Sequence, residues 1–130
     1  MESFEGRLAV VTGGGTGMGR ELVVQLAAEG CSVATCDMNA DAMAETARRA
    51  AKGSPAGTRI TTHVCDVSDE SQVIRFRDEV VAQHGTDHVN LVFNNAGIGG
   101  NRRFVAGGPP ERGPTLTGIR GGVYHPQLGV

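Results

Sequence analysis

The chain has 130 residues with 14 acidic and 12 basic side chains, a formal net charge of -2. This length suffices for one domain and is too short for two. The near-balanced charge gives no electrostatic reason to expect a nucleic acid or an anionic membrane as a partner. The start of the chain lacks a signal-peptide pattern and no run approaches the roughly 18 apolar residues of a membrane span, so we expect a cytoplasmic protein.

Cysteine and histidine spacing gives no metal motif. Cys31, Cys36 and Cys65 are too few and too widely spaced for a C-x-x-C zinc or redox site. A reducing compartment keeps them as thiols, and we expect them to be small buried hydrophobes. The four histidines likewise show no ligand spacing: His63, His84, His88 and His125. We therefore predict no metal.

The first element is a short apolar strand that leads into a glycine-rich turn. Residues 8–11 are apolar, Thr12 follows, and residues 13–19 read GGGTGMG before a helical pattern at 20–29. Strand, glycine turn and helix in this order are typical of a nucleotide-phosphate cradle, because glycines let the backbone approach a ligand and the helix N–H groups face a pyrophosphate. An ordinary glycine turn is the alternative. A P-loop is excluded because no Gly-Lys-Ser/Thr follows the glycines.

Strands and helices then alternate along the chain. Strands are predicted at 32–37, 59–65 and 89–93, and helices at 41–52, capped by Asn39, and from near Ser68 to Gly85. The alternation implies right-handed crossovers and a parallel sheet with helices on both faces. All four strands are near-continuous apolar runs, as expected for burial on both faces. The fold class is therefore α/β, a Rossmann-type doubly wound parallel sheet truncated after about four strands.

An acidic residue follows the second strand. Ligands in this architecture lie along the carboxyl ends of the strands, and Asp37 lies 18 positions beyond Gly19, close to the roughly 20-residue offset of the carboxylate that receives ribose hydroxyls. A carboxylate there repels a 2′-phosphate and so favours NAD over NADP. The alternative role for Asp37 is a helix N-cap.

Polar or glycine residues also follow the third and fourth strands. Asp66 is placed either to meet an adenine amino group or to cap the helix that begins near Ser68, and both roles stay open. The segment Asn94-Asn95-Ala96-Gly97 supplies amides and unhindered backbone where a cofactor's second ribose would run, or it forms a simple turn.

Together these residues resemble the classical short-chain dehydrogenases/reductases. The turn at residues 12–19 is similar to the family's TGxxxGxG, Asp37 to its acidic ribose position, Asp66-Val67 to its adenine-side DV and residues 94–97 to its NNAG. The likeness covers residues 6–98. It implies these cofactor-binding residues: Thr12, Gly13, Gly15, Thr16, Gly17, Met18, Gly19, Asp37, Asp66, Val67, Asn94, Asn95, Ala96 and Gly97.

The resemblance also implies an activity. The family moves a hydride between the nicotinamide of NAD, or less readily here NADP, and an alcohol or carbonyl substrate. Its proton is handled by a Ser and a Tyr-x-x-x-Lys, but the only tyrosine here is Tyr124, with Leu128 four positions on, and the only lysine is Lys52. We predict no catalytic residues in this chain and expect it to be inactive alone. The alternative function is a non-catalytic dinucleotide-binding module or pseudoenzyme.

The composition changes after Ile98. Nine of residues 99–130 are glycine, and four of the five prolines lie there. Glycine costs about 1 kcal/mol and proline about 3 kcal/mol per helical position, so the long helix of the family cannot form. We predict a cofactor-binding half-domain at 1–98 and an irregular tail at 99–130, either partly out of frame or from a truncated copy of a longer dehydrogenase.

The predicted sheet has a consequence for association. The family's strand order, 3-2-1-4, leaves the strand at 89–93 at an edge where a fifth strand would pair. An apolar unpaired edge favours association. We therefore predict self-association or a homo-oligomer.

Overall fold

The computed structural model describes residues 4–86 and 88–95, which form a parallel four-stranded sheet with three helices. The elements are β1 (Leu8–Thr12), α1 (Gly17–Ala28), β2 (Ser32–Asp37), α2 (Ala40–Gly53), β3 (Ile60–Val64), α3 (Glu70–His84) and β4 (Leu91–Phe93). The strand order is β3-β2-β1-β4, with every pair parallel. The predicted fold class and strand order are confirmed. The tail at 99–130, with Ala96 and Gly97, lies outside the described residues.

Several element bounds differ by one to three residues from the sequence-based expectation, and two helix starts illustrate why. Helix α1 begins at Gly17, inside the glycine motif, and not at residue 20. Helix α3 begins at Glu70 with Asp69 as its N-cap, whose side chain accepts hydrogen bonds from the N–H groups of Ser71 and Gln72. Ser68 does not start the helix, because its N–H and hydroxyl both donate to Asp66 Oδ1.

The hydrophobic core has two parts, one on each face of the sheet. Alternate residues of β1 point to opposite faces, yet the whole strand is buried, because α1 and α3 cover different faces. The part under α3 contains Leu8, Val10, Ala34, Cys36, Cys65, Val73, Phe76, Val80, Val89 and Val92. The part under α1 contains Ala9, Val11, Val23, Leu26, Ala27, Cys31, Val33, Ala50 and Phe93. Each fully buried valine or larger apolar side chain contributes about 1.5–3 kcal/mol to the free energy of unfolding.

Strand β3 corrects one expectation. It was predicted to be buried on both faces like the others, but Thr62 and Val64 are exposed while His63 between them is buried. The physical reason is its place at the edge of the described sheet, where only the face toward α3 is fully covered. The alternation of exposed and buried residues is that of a half-buried strand.

The cysteines are buried thiols, as predicted. Burial raises the pKa of Cys31 to about 11, so that thiol stays protonated. Within residues 4–86 and 88–95, no three His, Cys, Asp or Glu side chains are grouped to hold a metal ion. Over the same residues, none of the three helices has the length and apolar character needed to span a bilayer.

A chain of polar side chains joins β3 to α3. His63 Nδ1 lies 2.6 Å from Glu79 Oε1, His63 Nε2 lies 2.8 Å from Thr61 Oγ1, and the same hydroxyl lies 2.8 Å from His84 Nε2. A carboxylate only accepts, so His63 Nδ1–H donates to Glu79. The Thr61 hydroxyl has one hydrogen, so it donates to one of the two histidine Nε2 atoms and accepts from the other. These bonds hold the edge strand against the last turns of α3.

This chain of bonds makes stability depend on pH. Burial, reinforced by the nearby charges of His63 and Arg59, lowers the pKa of His84 from its usual 6.5 to about 4. Between these values the unfolded chain binds a proton that the folded chain does not, so the free energy of unfolding falls as the pH drops from about 6.5 to about 4. Urea unfolding across this window is expected to show the loss in the wild-type chain and a smaller loss in His84→Gln.

The carboxylate of Glu45 titrates at lower pH than His84. The hydrogen bonds of Arg48 and Arg49 lower the pKa of Glu45 to about 2, so its contribution is lost only in stronger acid. An equal slope for wild-type and His84→Gln chains between pH values of about 6.5 and 4 would show that His84 is not the group responsible.

Candidate functional site

The turn between β1 and α1 lies at the carboxyl edge of the sheet. Gly13 and Gly17 have φ angles of 73° and 58°, in the left-handed region that favours glycine. The N–H groups of Gly13 and Gly14 both donate to the carbonyl oxygen of Cys36, at 2.7 and 3.3 Å. The glycine loop, residues 13–17, is thus bonded to the end of β2.

Three further glycines are required by close packing. A Cβ at Gly14 would lie 1.9 Å from Thr35 Oγ1, and one at Gly19 would lie 1.9 Å from the carbonyl oxygen of Gly13. A Cβ at Gly15 would lie 2.8 Å from Asp37 Oδ2. Gly14 and Gly15 therefore run against β2, and Gly19 of α1 packs on the loop, so close that a Cβ at any of the three would have to displace its neighbours.

The N-terminus of α1 differs from those of the other two described helices. Its N-cap, Thr16, makes no side-chain capping hydrogen bond, and its first turn carries no acidic residue. Helices α2 and α3 are capped by the side chains of Asn39 and Asp69 and have an acidic residue in the first turn. The first N–H groups of α1 and its positive dipole end therefore suit an anionic ligand.

Asp37 is oriented by the backbone at the end of β2. Its Oδ2 accepts from the N–H of Gly15 at 2.9 Å, and its Oδ1 accepts from the N–H of Asn39 at 3.0 Å. The alternative role as N-cap of α2 is wrong, because Asn39 caps that helix by accepting from the N–H of Ala42 at 2.9 Å. Each carboxylate oxygen has a second lone-pair direction, so the group has acceptor capacity beyond these two bonds.

Asp66 holds the turn that precedes α3. Its Oδ1 accepts from the hydroxyl of Ser68 at 2.6 Å and from the N–H of Ser68 at 2.9 Å. These bonds, led by that of the hydroxyl, lower the pKa of Asp66. It does not cap α3, since Asp69 does, and its contact with adenine stays a prediction. Val67 is partly buried against the core under α3.

The asparagines after β4 contact the other side of the glycine loop. Asn94 is buried, and its Oδ1 lies 3.4 Å from Thr12 Oγ1. Asn95 Nδ2 donates to the carbonyl oxygen of Gly13 at 3.4 Å. The fold thus brings Thr12, Gly13 and the two asparagines together on one side of the loop, with Gly15 and Asp37 on the other. Asp66 and Val67 lie one strand further out, after β3.

Two residues at this site were missed by the sequence analysis. Thr46, fully buried on α2, donates to the carbonyl oxygen of Gly14 at 2.7 Å, and Arg20 Nε donates to Thr46 Oγ1 at 2.9 Å. Arg20 Nη2 also donates to the carbonyl oxygen of Ala42 at 3.1 Å. The available signal was a hydroxyl among the alanines of the packing face of α2, where a polar group needs a partner.

The fold and this loop define a Rossmann-type domain, in which the strand order reverses between β1 and β4 and the glycine loop lies at that switch point. The family model for short chain dehydrogenases matches residues 7–108. The chain belongs to the short-chain dehydrogenase/reductase family.

Several known proteins are similar to this chain. SadH of Mycobacterium tuberculosis, named as an oxidoreductase, is 40% identical over 101 residues, covering 78% of this chain and 35% of SadH. Levodione reductase of Leifsonia aquatica is 35% identical over 99 residues, covering 76% and 36%. The chain thus spans about a third of the length of these relatives.

Solved structures show the same partial coverage. The crystal structure of levodione reductase superposes with a TM-score of 0.68 at 34% identity, covering 78% of this chain and 38% of that one. NAD⁺-bound xylitol dehydrogenase superposes with a TM-score of 0.67 at 33% identity, covering 81% and 37%.

The packing of Gly19 yields a prediction. Gly19→Ala places a Cβ against the backbone oxygen of Gly13, and backbone cannot move aside as a flexible side chain can. We expect it to lower the free energy of unfolding by about 1–3 kcal/mol, measured by urea denaturation. Gly53→Ala is the control, because its Cβ would meet no atom within 4 Å and alanine is the better helix former. Equal stabilities for the two variants would contradict the packing argument.

Proposed function

We propose that this chain is the cofactor-binding part of an NAD(P)-dependent oxidoreductase. The observation that carries the proposal is the Asp37 carboxylate held by the N–H of Gly15, next to a helix N-terminus without a side-chain cap. A hydroxyl-binding carboxylate and an anion-binding helix start in one loop fit the ribose and pyrophosphate of a dinucleotide. The names of similar proteins, including levodione reductase and a human epidermal retinol dehydrogenase, support an oxidoreductase.

The residues divide by the part of the cofactor they would hold. The start of α1, with Thr16, Gly17 and Met18, suits the pyrophosphate, and Asp37 suits the adenosine ribose. Asp66 and Val67 suit the adenine. Gly13, Gly15 and Gly19 would let the loop backbone approach the pyrophosphate. Five residues would hold the nicotinamide half: Thr12, Asn94, Asn95, Ala96 and Gly97. When bound, the nicotinamide supplies the hydride chemistry, and these residues bind and orient it.

NAD is the proposed cofactor, with NADP less favoured. A 2′-phosphate would lie against the Asp37 carboxylate and be repelled. The guanidinium of Arg20, which could otherwise attract a phosphate, is engaged by Thr46 and Ala42. Among solved relatives, xylitol dehydrogenase is bound to NAD⁺ and a metagenomic short-chain oxidoreductase is in complex with NADP, so the local carboxylate, and not the family, supports the preference.

Hydride transfer to or from an alcohol or carbonyl substrate is proposed for the whole protein. This chain lacks a Tyr-x-x-x-Lys sequence, which favours a second candidate for the chain by itself, a non-catalytic dinucleotide-binding module. We also propose a cytoplasmic location. Self-association is proposed as well, because β4 lies at an edge of the described sheet.

Calorimetric titration tests the cofactor assignment. We expect the folded chain to bind NAD⁺ at least tenfold more tightly than NADP⁺, a difference of about 1.4 kcal/mol. Asp37→Asn keeps the shape of the side chain and removes its charge. It should therefore weaken NAD⁺ binding and narrow the difference in affinity between NAD⁺ and NADP⁺. Asp41→Asn is the matched control, an exposed acid in the first turn of α2.

Each outcome of this titration is informative. A folded chain without saturable NAD⁺ binding would overturn the proposed function. Tighter or equal binding of NADP⁺ would leave a dinucleotide site but contradict the role of Asp37. If Asp41→Asn weakened NAD⁺ binding as much as Asp37→Asn, the effect would come from the overall charge of the chain and not from the position of Asp37.

A further inference from the structure

The peptide unit that joins Gly14 and Gly15 is held at both ends. Its carbonyl oxygen, on Gly14, accepts from Thr46 Oγ1 at 2.7 Å, and its N–H, on Gly15, donates to Asp37 Oδ2 at 2.9 Å. The carbonyl and N–H of a planar trans peptide point in opposite directions. One rigid unit therefore connects the interior of α2 to the carboxylate at the end of β2.

This unit lies between two glycines, so no Cβ resists its rotation. A flipped peptide would turn the carbonyl oxygen of Gly14 toward Asp37 and set two acceptors against each other. It would also turn the N–H of Gly15 away from the carboxylate. The hydroxyl of Thr46 and the carboxylate of Asp37 thus favour the same orientation, and loss of either bond weakens the preference.

Arg20 sets the direction of the threonine hydroxyl. Arg20 Nε donates to Thr46 Oγ1 at 2.9 Å, so the oxygen acts there as an acceptor. Thr46 has one hydroxyl hydrogen, and the carbonyl oxygen of Gly14 at 2.7 Å is closer than those of Ala42 at 3.2 Å and Gly15 at 3.3 Å. Thr46 is fully buried, so water does not replace the bond to Gly14.

We propose that Thr46 is a positioning residue for the adenosine ribose, acting through the Gly14–Gly15 peptide on Asp37. The proposal deepens the proposed function and rests on it. Thr46 touches no part of a dinucleotide in this scheme. It keeps the N–H of Gly15 on the carboxylate, which keeps the carboxylate in the orientation that receives the ribose hydroxyls. The ligand class affected is any molecule with an adenosine diphosphate and free ribose hydroxyls, such as NAD⁺ or ADP-ribose.

The central experiment is NAD⁺ calorimetry on the full chain. Thr46→Val keeps the shape of the side chain and removes the hydroxyl. We expect it to lower the affinity for NAD⁺ about tenfold. Thr46→Ser keeps the hydroxyl and should bind within about twofold of wild type. Thr61→Val is the matched control, because it removes a hydroxyl that bonds His63 and His84 but lies on β3, away from the loop.

A double-mutant cycle separates positioning from a general structural role. If Thr46 acts through Asp37, Thr46→Val should cost much less NAD⁺ affinity in the Asp37→Asn background than in wild type. The same loss in both backgrounds, or wild-type affinity in Thr46→Val, would overturn the proposal. Arg20→Met provides a second variant at a partly exposed position, with a smaller loss in the same direction expected.

Hydrogen exchange of the ligand-free chain tests the peptide directly. Thr46→Val should speed exchange at the amide of Gly15, while the amide of Gly13, bonded to Cys36, stays protected. Unchanged protection of Gly15 would overturn the proposal without reference to any ligand. If the folded wild-type chain does not bind NAD⁺, both the proposed function and the role of Thr46 in ribose binding are overturned. The exchange rate at Gly15 would then decide by itself whether Thr46 orients the Gly14–Gly15 peptide.

Discussion

The structure depends on the close approach of one loop to the carboxyl edge of the sheet. The carbonyl of Cys36 binds two successive loop N–H groups, and the space left admits no Cβ at Gly14 or Gly19. This contact decides where α1 begins and which backbone groups it presents. It also fixes the distance between the loop and Asp37. If the loop were displaced by the size of one methyl group, the start of α1, the backbone groups that it presents and the distance to Asp37 would all change.

The helix that begins at the site lacks the stabilising features found at the starts of the other described helices. Helices α2 and α3 have a capping side chain and an acid in the first turn, and α1 has neither. An isolated helix with such a start is less stable. Burial of α1 on the sheet through Val23, Leu26 and Ala27 offsets that cost. Departures of this kind are expected where a ligand completes what the chain leaves open.

The sequence predicted the features that depend on local residue patterns, namely the positions of the strands, the helices and the residues at strand ends. Apolar runs and the cap at Asn39 located the strands and helices to within a few residues, and the strand pattern placed Asp37 at the end of β2 beside the glycine loop, where the structure has it. It did not predict Thr46 or Arg20, because their partners across the loop lie 22 to 32 positions away along the chain and only the packing of α2 on the loop brings them together. The start of α3 was placed near Ser68 and lies at Glu70, because adjacent cap-forming residues compete for one helix start. The exposure of β3 was missed, although the expected strand order places it at an edge, because all four strands were treated as apolar runs buried on both faces.

The pairing of β1 with β4 joins parts of the chain that are about 80 positions apart, with Val10 opposite Val92. Closing so long a segment costs loop entropy before the pairing repays it, which slows the folding of parallel sheets. The central strand lacks its second neighbour until Phe93 has been synthesised. A fragment that ends earlier therefore leaves one flank of β1 unpaired.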